Sequence, residues 1–398
     1  MNSLAQRSLA SVSLAVLVAG LPCCGQTSAS DEPAPAQPNH ASLLGKPDLK
    51  VQDASNDLTR SRVTAYLDTE MASHESMLWC ATMWKAWDSM SELMHAPFQV
   101  GAGPNEPEPE MSAHLRALVW DPALLDQDSY LAMAGYGPTI VEQIKAELKK
   151  KFGGAASPSI LPEPSSLPPD GILAYSYLFK NLQFEHPFDR SDRGLFFSPS
   201  ADPSAPHGSL DPVIVQAFGL SNQLKDWSAV ASQIIVHDYA SPQDFVVELK
   251  TKDADDRLII ARLTPGKTLK ETVDQAMTRA KADQVQPGVT KDEQFMVPVL
   301  NFDVTRQYHE IIRKRVATPG FTDYRVANAL QNIRFRLDEK GAILKSEAFI
   351  MLDRAMSPRT PRRFVCDGPF LIVMAQANAD TPYVAAWIAN DELLVKHN

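Results

Sequence analysis

The chain has 398 residues, 44% of them hydrophobic, enough apolar material for one large core or two ordinary ones. Its formal net charge is −10 and its pI is near 5.4, which gives nucleic-acid binding no footing. Thirty prolines against eighteen glycines point to long, stiffened connections between elements.

Residues 1–25 read as an export signal. Arg7 is the only charge, and Leu9 to Leu21 is an apolar run of signal length, shorter than the roughly 20 residues of a bilayer span. Cys23-Cys24-Gly25 leaves two readings open: a lipoprotein signal with lipidation at Cys23 or Cys24, or ordinary cleavage after Gly25 or Ser30. Both put the mature protein outside the cytoplasm, secreted, periplasmic or at the cell surface, with a lipid anchor as its one route to a membrane. Residues 26–61 are rich in Pro, Ala and Ser without apolar period and read as a disordered tether. Residues 62–398 form the folded domain. Only Cys80 and Cys366 remain in it; an oxidising compartment permits a bridge between them, and two buried thiols fit the sequence equally well. Neither has a Cys or His at ligand spacing, so no metal site is expected.

In chain order, Met77 to Cys80 is a short strand. Met83, Trp87, Met90 and Met94 follow on one helical face, a stripe that reads as core. Gly101 to Glu110 alternates Pro and Glu and is a surface loop. Thr139 and Glu142 have capping-box spacing and predict a helix with Ile140, Ile144 and Leu148 inward, Lys149 to Lys151 at its end and Gly153-Gly154 beyond. Gly171 to Phe179 is a strand apolar enough to be buried on both faces. Val213 to Asp226 is open between strand and helix, and Ala229 to Tyr239 favours strand. Phe245–Leu249 and Arg257–Leu263 pair as a hairpin. Thr268 and Glu271 cap an amphipathic helix carrying Leu269, Val273, Ala276, Met277 and Ala280 inward. Phe295 to Val304 is a strand whose Pro298 marks an edge or bulge. Tyr308 to Val316 is expected to be a short helix. Strands Asn332–Leu337, Phe364–Met374 and Tyr383–Ile388 close the domain.

Several segments, in this order, resemble serpins. Ile172 to Phe196 is similar to the serpin strand Leu-Val-Asn-Ala-x-x-Phe-Lys-Gly-x-Trp, through Phe179-Lys180 and then Pro187-Phe188. Val246 to Met277 looks like the serpin hairpin, turn and helix, and Val297-Pro298 to Phe302 like its x-Leu-Pro-x-Phe strand. Glu339-Lys340-Gly341 matches the Glu-x-Gly that opens the reactive-loop hinge. Phe364-x-x-Asp367-Gly368-Pro369-Phe370-Leu371 is similar to Phe-x-Ala-Asp-x-Pro-Phe-Leu. The resemblance spans Gly171 to Leu394 and is weaker before, where Cys80-Ala81 stands in place of Ser-Pro. It implies an α+β fold: a large mixed or antiparallel main sheet, additional sheets and surrounding helices.

The resemblance also implies a mechanism, which the hinge residues oppose. Inhibitory serpins act when a cut loop inserts as a new strand and drags the attached protease. Insertion needs a hinge of small residues, because side chains must slip into a packed sheet. Here Ala342 is followed by Ile343, Leu344, Lys345, Ser346 and Glu347. Alternation puts Ala342, Leu344, Ser346, Ala348 and Ile350 on one face and Ile343, Lys345, Glu347 and Phe349 on the other. Burying Lys345 or Glu347 unpaired costs several kcal/mol (~2 to 5), so that face must stay wet. The pattern fits a half-exposed strand paired with Asn332–Leu337 across Asp338–Gly341. The expected function is therefore that of a non-inhibitory serpin-like binding or structural module. The alternative is inhibition of a trypsin-like protease through the basic loop 353–363, with Arg354, Arg359, Arg362 and Arg363 as reactive-loop candidates and Arg359 nearest a scissile residue. The plainer reading of that loop is a solvated basic linker between two strands, and a third is a basic patch for an anionic partner.

Catalytic motifs are missing: no Gly-x-Ser-x-Gly, His-Glu-x-x-His, phosphate loop or Cys-x-x-Cys occurs. No catalytic residue, metal or cofactor is assigned. The partner class is a serine protease or another protein, and oligomeric state is not legible.

Overall fold

The computed structural model describes residues 52–53, 58–72, 74–101, 106–153, 158–199, 212–281, 286–341 and 361–397. Its strands, in chain order, are β1 (Gln52–Asp53), β2 (Ser61–Thr64), β3 (Ser76–Cys80), β4 (Tyr130–Tyr136), β5 (Ile172–Leu178), β6 (Asp189–Arg190), β7 (Leu195–Phe197), β8 (Val213–Val215) and β9 (Ala217–Gly219). There follow β10 (Ile234–Ser241), β11 (Asp244–Leu249), β12 (Asp256–Arg262), β13 (Gln294–Pro298), β14 (Leu300–Gln307), β15 (Leu330–Leu337), β16 (Arg363–Val365), β17 (Phe370–Gln376) and β18 (Val384–Ile388). The helices are α1 (Thr82–Met94), α2 (Glu110–Ala117), α3 (Gly137–Phe152), α4 (Trp227–Ser232) and α5 (Leu269–Arg279). The fold class is α+β.

The largest sheet has seven strands in the order β10-β11-β12-β17-β18-β3-β2, antiparallel except for the β2–β3 pair. Its central strands are apolar almost without alternation and are buried on both faces, as Leu258 to Ala261 and Phe370 to Ala375 show. A four-stranded sheet runs β16-β13-β9-β6, and β14 lies between β1 and β15 in a third. Strands β4 and β5 pair only with each other among the described residues. Helix α1 packs on one side of that pair with Met83, Trp87 and Met94 buried, and α3 lies on the other with Ile140, Ile144, Leu148 and Phe152.

Several sequence expectations are corrected by local physics. The helix expected from Thr139 starts at Gly137, whose φ of +63° turns the chain, and Pro138 then sits in the first turn where its missing N–H is harmless. Thr139 caps nothing there. Strand β5 is half-buried, with only Tyr175 fully so, and among the described residues it pairs with β4 alone. Residues 229–239 divide into α4, capped by the Asp226 carboxylate, and then β10. The strand expected over Phe295–Val304 breaks at Val299: β13 joins one sheet and β14 another, and Pro298 ends the first. Tyr308 to Val316 is a run of turns, with Arg313 at φ +65° and its N–H bonded to the Val326 carbonyl instead of a helical ladder. The structured chain also reaches into the stretch read as tether. There β1 pairs with β14, and Thr59 and Arg60 donate backbone N–H bonds to Glu392.

The bridge considered between Cys80 and Cys366 is absent. Both are free and buried. Cys80 ends β3 opposite Val384 in the seven-stranded sheet, while the Cys366 N–H bonds the Met296 carbonyl of the four-stranded one. Burial raises both thiols, Cys366 to about 12.

Candidate functional site: a cleft between two sheets

A cleft of about 960 Å³ separates β5 from β15. Its floor is the apolar face of α1, with Met83, Trp87, Met90 and Met94, and its walls are Leu173–Leu178 on one side and Leu330–Leu337 on the other. Among the described residues β5 is paired only on the β4 side and β15 only on the β14 side, and the other edge of each borders the cleft with its backbone N–H and C=O groups. Such an edge is a template for one more strand.

At the end of β15 the chain reverses tightly. Asp338 and Gly341 exchange both backbone hydrogen bonds, N to O 2.8 and 3.2 Å, closing a two-residue turn. Gly341 sits at φ +99°, and a Cβ there would lie 2.4 Å from the Leu182 carbonyl oxygen, so the position demands glycine. Gly341 also bridges Gln183 in antiparallel sense. Gly341 is thus held on both flanks.

The turn is fixed from below as well. Phe184 and Phe188 donate N–H bonds to the Lys340 and Glu339 carbonyls (3.0 and 2.7 Å). The buried Glu339 carboxylate accepts from Arg190 Nε at 2.9 Å and Nη2 at 2.6 Å, both at Oε2, while its Oε1 has no partner among the described residues. Nearby, Asn181 lines the cleft and its buried Oδ1 likewise has no partner among the described residues.

Just past β5 stands a second polar cluster. Lys180 Nζ lies 2.6 Å from Asp256 Oδ2, the two side chains 8% and 0% exposed. Asp256 Oδ1 accepts from Tyr383 Oη at 2.8 Å and Gln376 Nε2 at 2.6 Å. Burial pushes the Asp256 carboxyl above the usual carboxylate range, even though Lys180 and Tyr383 oppose that shift. This cluster ties the end of β5 to β12 and β17. Sequence reasoning passed over it, since its members are 76 and 127 residues apart from Asp256.

The predicted site residues fall into three groups. Glu339 and Gly341 are brought together in the turn. Ala342, Lys345, Glu347, Arg354 and Arg359, like Cys23 and Cys24, lie outside the described residues. Arg362 and Arg363 are described, and they are not loop-like. Arg362 is 19% exposed, salt-bridged to Glu293 at 2.5 Å, bonded to the Pro287 and Gly288 carbonyls, and stacked over Phe364. Arg363 is the first residue of β16 and pairs with Asp367 at 2.6 Å. Both are structural anchors. Their reactive-loop assignment is corrected accordingly, because a protease needs an extended, unpaired segment. Among the described residues no group of His, Cys, Asp and Glu could hold a metal ion, and no helix is long and apolar enough to cross a membrane.

No protein-family model and no curated protein matches the chain. Solved structures do. Serpin48, a highly specific serpin of the insect Tenebrio molitor, aligns at TM-score 0.46 and 12% identity, covering 79% of this chain and 92% of its own. Thyroxine-binding globulin in complex with thyroxine aligns at TM-score 0.45 and 11% identity, covering 80% and 93%. The likeness is one of fold.

Proposed function

We propose that this is an exported, serpin-like protein that does not inhibit proteases and serves as a binding or structural module. Gly341 carries the reading: the hinge position is already bridged on both sides, to Asp338 and Gln183, in the uncut chain. A trap that works by later insertion needs a hinge still free to enter, and metastability is what the insertion releases. The Arg190–Glu339 pair adds to the hold, and the residues that follow, with Lys345 and Glu347 among them, suit a wet face better than rapid burial. Export follows from the apolar run of Leu9 to Leu21, and a lipid on Cys23 or Cys24 is the proposed anchor where the signal is of lipoprotein type.

The test is incubation with trypsin, followed by denaturing electrophoresis and a melting curve of the nicked product. We expect cleavage at Arg354 or Arg359, no SDS-resistant complex, and a melting temperature within a few degrees of the intact protein. A covalent band, or a large rise in melting temperature on cleavage, would establish the inhibitor reading instead.

A further inference from the structure

We propose that the turn-rich connection between β14 and β15 carries an oxyanion site, in which Arg315 and Arg325 together grip the phosphate of a phosphate monoester. The inference goes beyond the reading above, because it does not depend on whether the protein traps proteases.

The backbone brings the two arginines together. The Val316 N–H bonds the Tyr324 carbonyl and the Val326 N–H bonds the Lys314 carbonyl, each at 3.0 Å, with Arg315 directly opposite Arg325. That pattern is a non-hydrogen-bonded antiparallel pair, whose Cα atoms stand about 4.5 Å apart with both side chains on one face. Both arginines are exposed. Like charges directly opposite each other destabilise a ladder, so the pair works against the fold. The same short stretch holds Arg313 at φ +65°, in the left-handed region that favours glycine. Strain and repulsion gathered on exposed residues of one hairpin point to a site.

The arrangement is braced on several sides. Arg325 Nη1 donates to the Arg313 carbonyl at 3.0 Å, which fixes one end of its guanidinium. The Gly101 N–H bonds the Arg315 carbonyl at 2.7 Å, Val100 bridges Val316, and the Tyr324 hydroxyl donates to the Asp170 carbonyl at 3.2 Å. The Glu106 carboxylate accepts the backbone N–H of Arg315 at 3.2 Å, so this acid holds the strand in place. A binding constellation needs such a rigid support.

These arginines differ from the others in their partners. Arg193 apart, every described arginine outside this stretch is ion-paired to an Asp or Glu. Among the described residues Arg313, Lys314, Arg315 and Arg325 have no such pair, in a chain whose formal net charge is −10. A ligand for two adjacent guanidiniums must bring two negative charges and several acceptor oxygens. A phosphate monoester carries about −1.5 to −2 charge at pH 7 and three acceptor oxygens, and guanidinium forks bind phosphate bidentately. A carboxylate or a sulfate ester brings a single charge and leaves one arginine unmatched.

The probe is glycerol phosphate, titrated into the full chain at low ionic strength and followed by calorimetry. We expect saturable one-to-one binding that Arg315→Gln and Arg325→Gln each weaken on the order of tenfold or more, and that Arg325→Lys, which keeps the charge without the fork, does not restore. Arg193→Gln, at an exposed arginine elsewhere, should leave binding unchanged. Affinity should fall as pH drops from about 7.5 to about 5, because the second ionisation of the ligand lies at about 6 and guanidiniums stay charged throughout. Neither Gln variant should lower the melting temperature, since each relieves the like-charge pair. Phosphatidylcholine vesicles with and without phosphatidic acid separate the two sources of the group. Sedimentation with the acidic lipid alone, lost in Arg315→Gln, assigns the phosphate to a lipid head group, and no sedimentation assigns it to a soluble ligand. Failure of glycerol phosphate to bind overturns the inference, as does equal weakening by Arg193→Gln or binding that both Gln variants retain.

Discussion

The central strands of the seven-stranded sheet and β5, on the wall of the cleft, are built from similarly apolar residues and end in different conditions. In the first, β12, β17 and β18 have strand neighbours on both sides and cover on both faces, and nearly every side chain from Phe370 to Ala375 is fully buried. In the second, β5 has Tyr175, Tyr177 and Leu178 in a comparable run but a single strand partner among the described residues, and most of it is half-buried. The difference lies in topology, since hydrophobic content is alike.

The contrast can be broken most forcefully at the joint between the two regions. Lys180→Met leaves the Asp256 carboxylate buried without its cation and should cost about 3–5 kcal/mol, read as a lower denaturation midpoint. Lys180→Met with Asp256→Asn should recover much of that loss, and a double mutant no better than the single would show that the pair is not the joint. Within the complete sheet, Ile260→Ala should cost about 2–5 kcal/mol by cavity formation. The same change at the half-buried Leu173 should cost clearly less, so equal losses in thermal melts would erase the distinction drawn here.

Gly341→Ala comes next. It puts a side chain where the backbone has positive φ and the Leu182 carbonyl stands in the way, for a loss of about 1–3 kcal/mol. Exchange should quicken at Phe184 and Phe188 first, because their N–H groups rest on this turn. Smaller still is the effect of pH. Burial would raise the Glu293 carboxyl, but hydrogen bonds from Arg362 and Thr290 hold it below the usual range. Its contribution is therefore present above the ordinary carboxylate pKa and lost as pH falls through the lowered one. Asp256 has the opposite sign: its carboxyl is raised, the folded state binds that proton more tightly, and this contribution grows on acidification. Subtracting Glu293→Gln and Asp256→Asn melting profiles from the parent between pH 3 and 7 should give slopes of opposite direction. The smallest effect is expected of the two thiols: native Cys80 and Cys366 should resist thiol reagents, and reductant should leave the melting temperature unchanged.

What the sequence showed, it showed through local rules. The Thr268–Glu271 cap of α5 is where its spacing put it, with the Thr268 side chain accepting from the Glu271 N–H at 3.2 Å. The stripe of Met83, Trp87 and Met94 is core, and the two strands from Phe245 and Arg257 pair as a hairpin. Glu339 and Gly341 meet in a turn, as their spacing implied. The failures share another cause. Thr139 lost its cap to a glycine–proline start two residues earlier, and Arg362 looked free because Glu293 lies 69 residues away. Lys180, read as part of a strand motif, is held by Asp256. Periodicity and capping are written within a few residues, whereas ion pairs across sheets depend on where the chain returns.

Pairing of β3 with β18 sets Trp79 beside Ala385 and Met77 beside Trp387. Some 300 residues emerge from the ribosome between these partners, and closing so long a loop is slow. Strands β2 and β3 are among the first made and cannot join the seven-stranded sheet until β18 exists. A chain cut short before Val384 therefore has β3, and β2 with it, unjoined to the rest of the seven-stranded sheet.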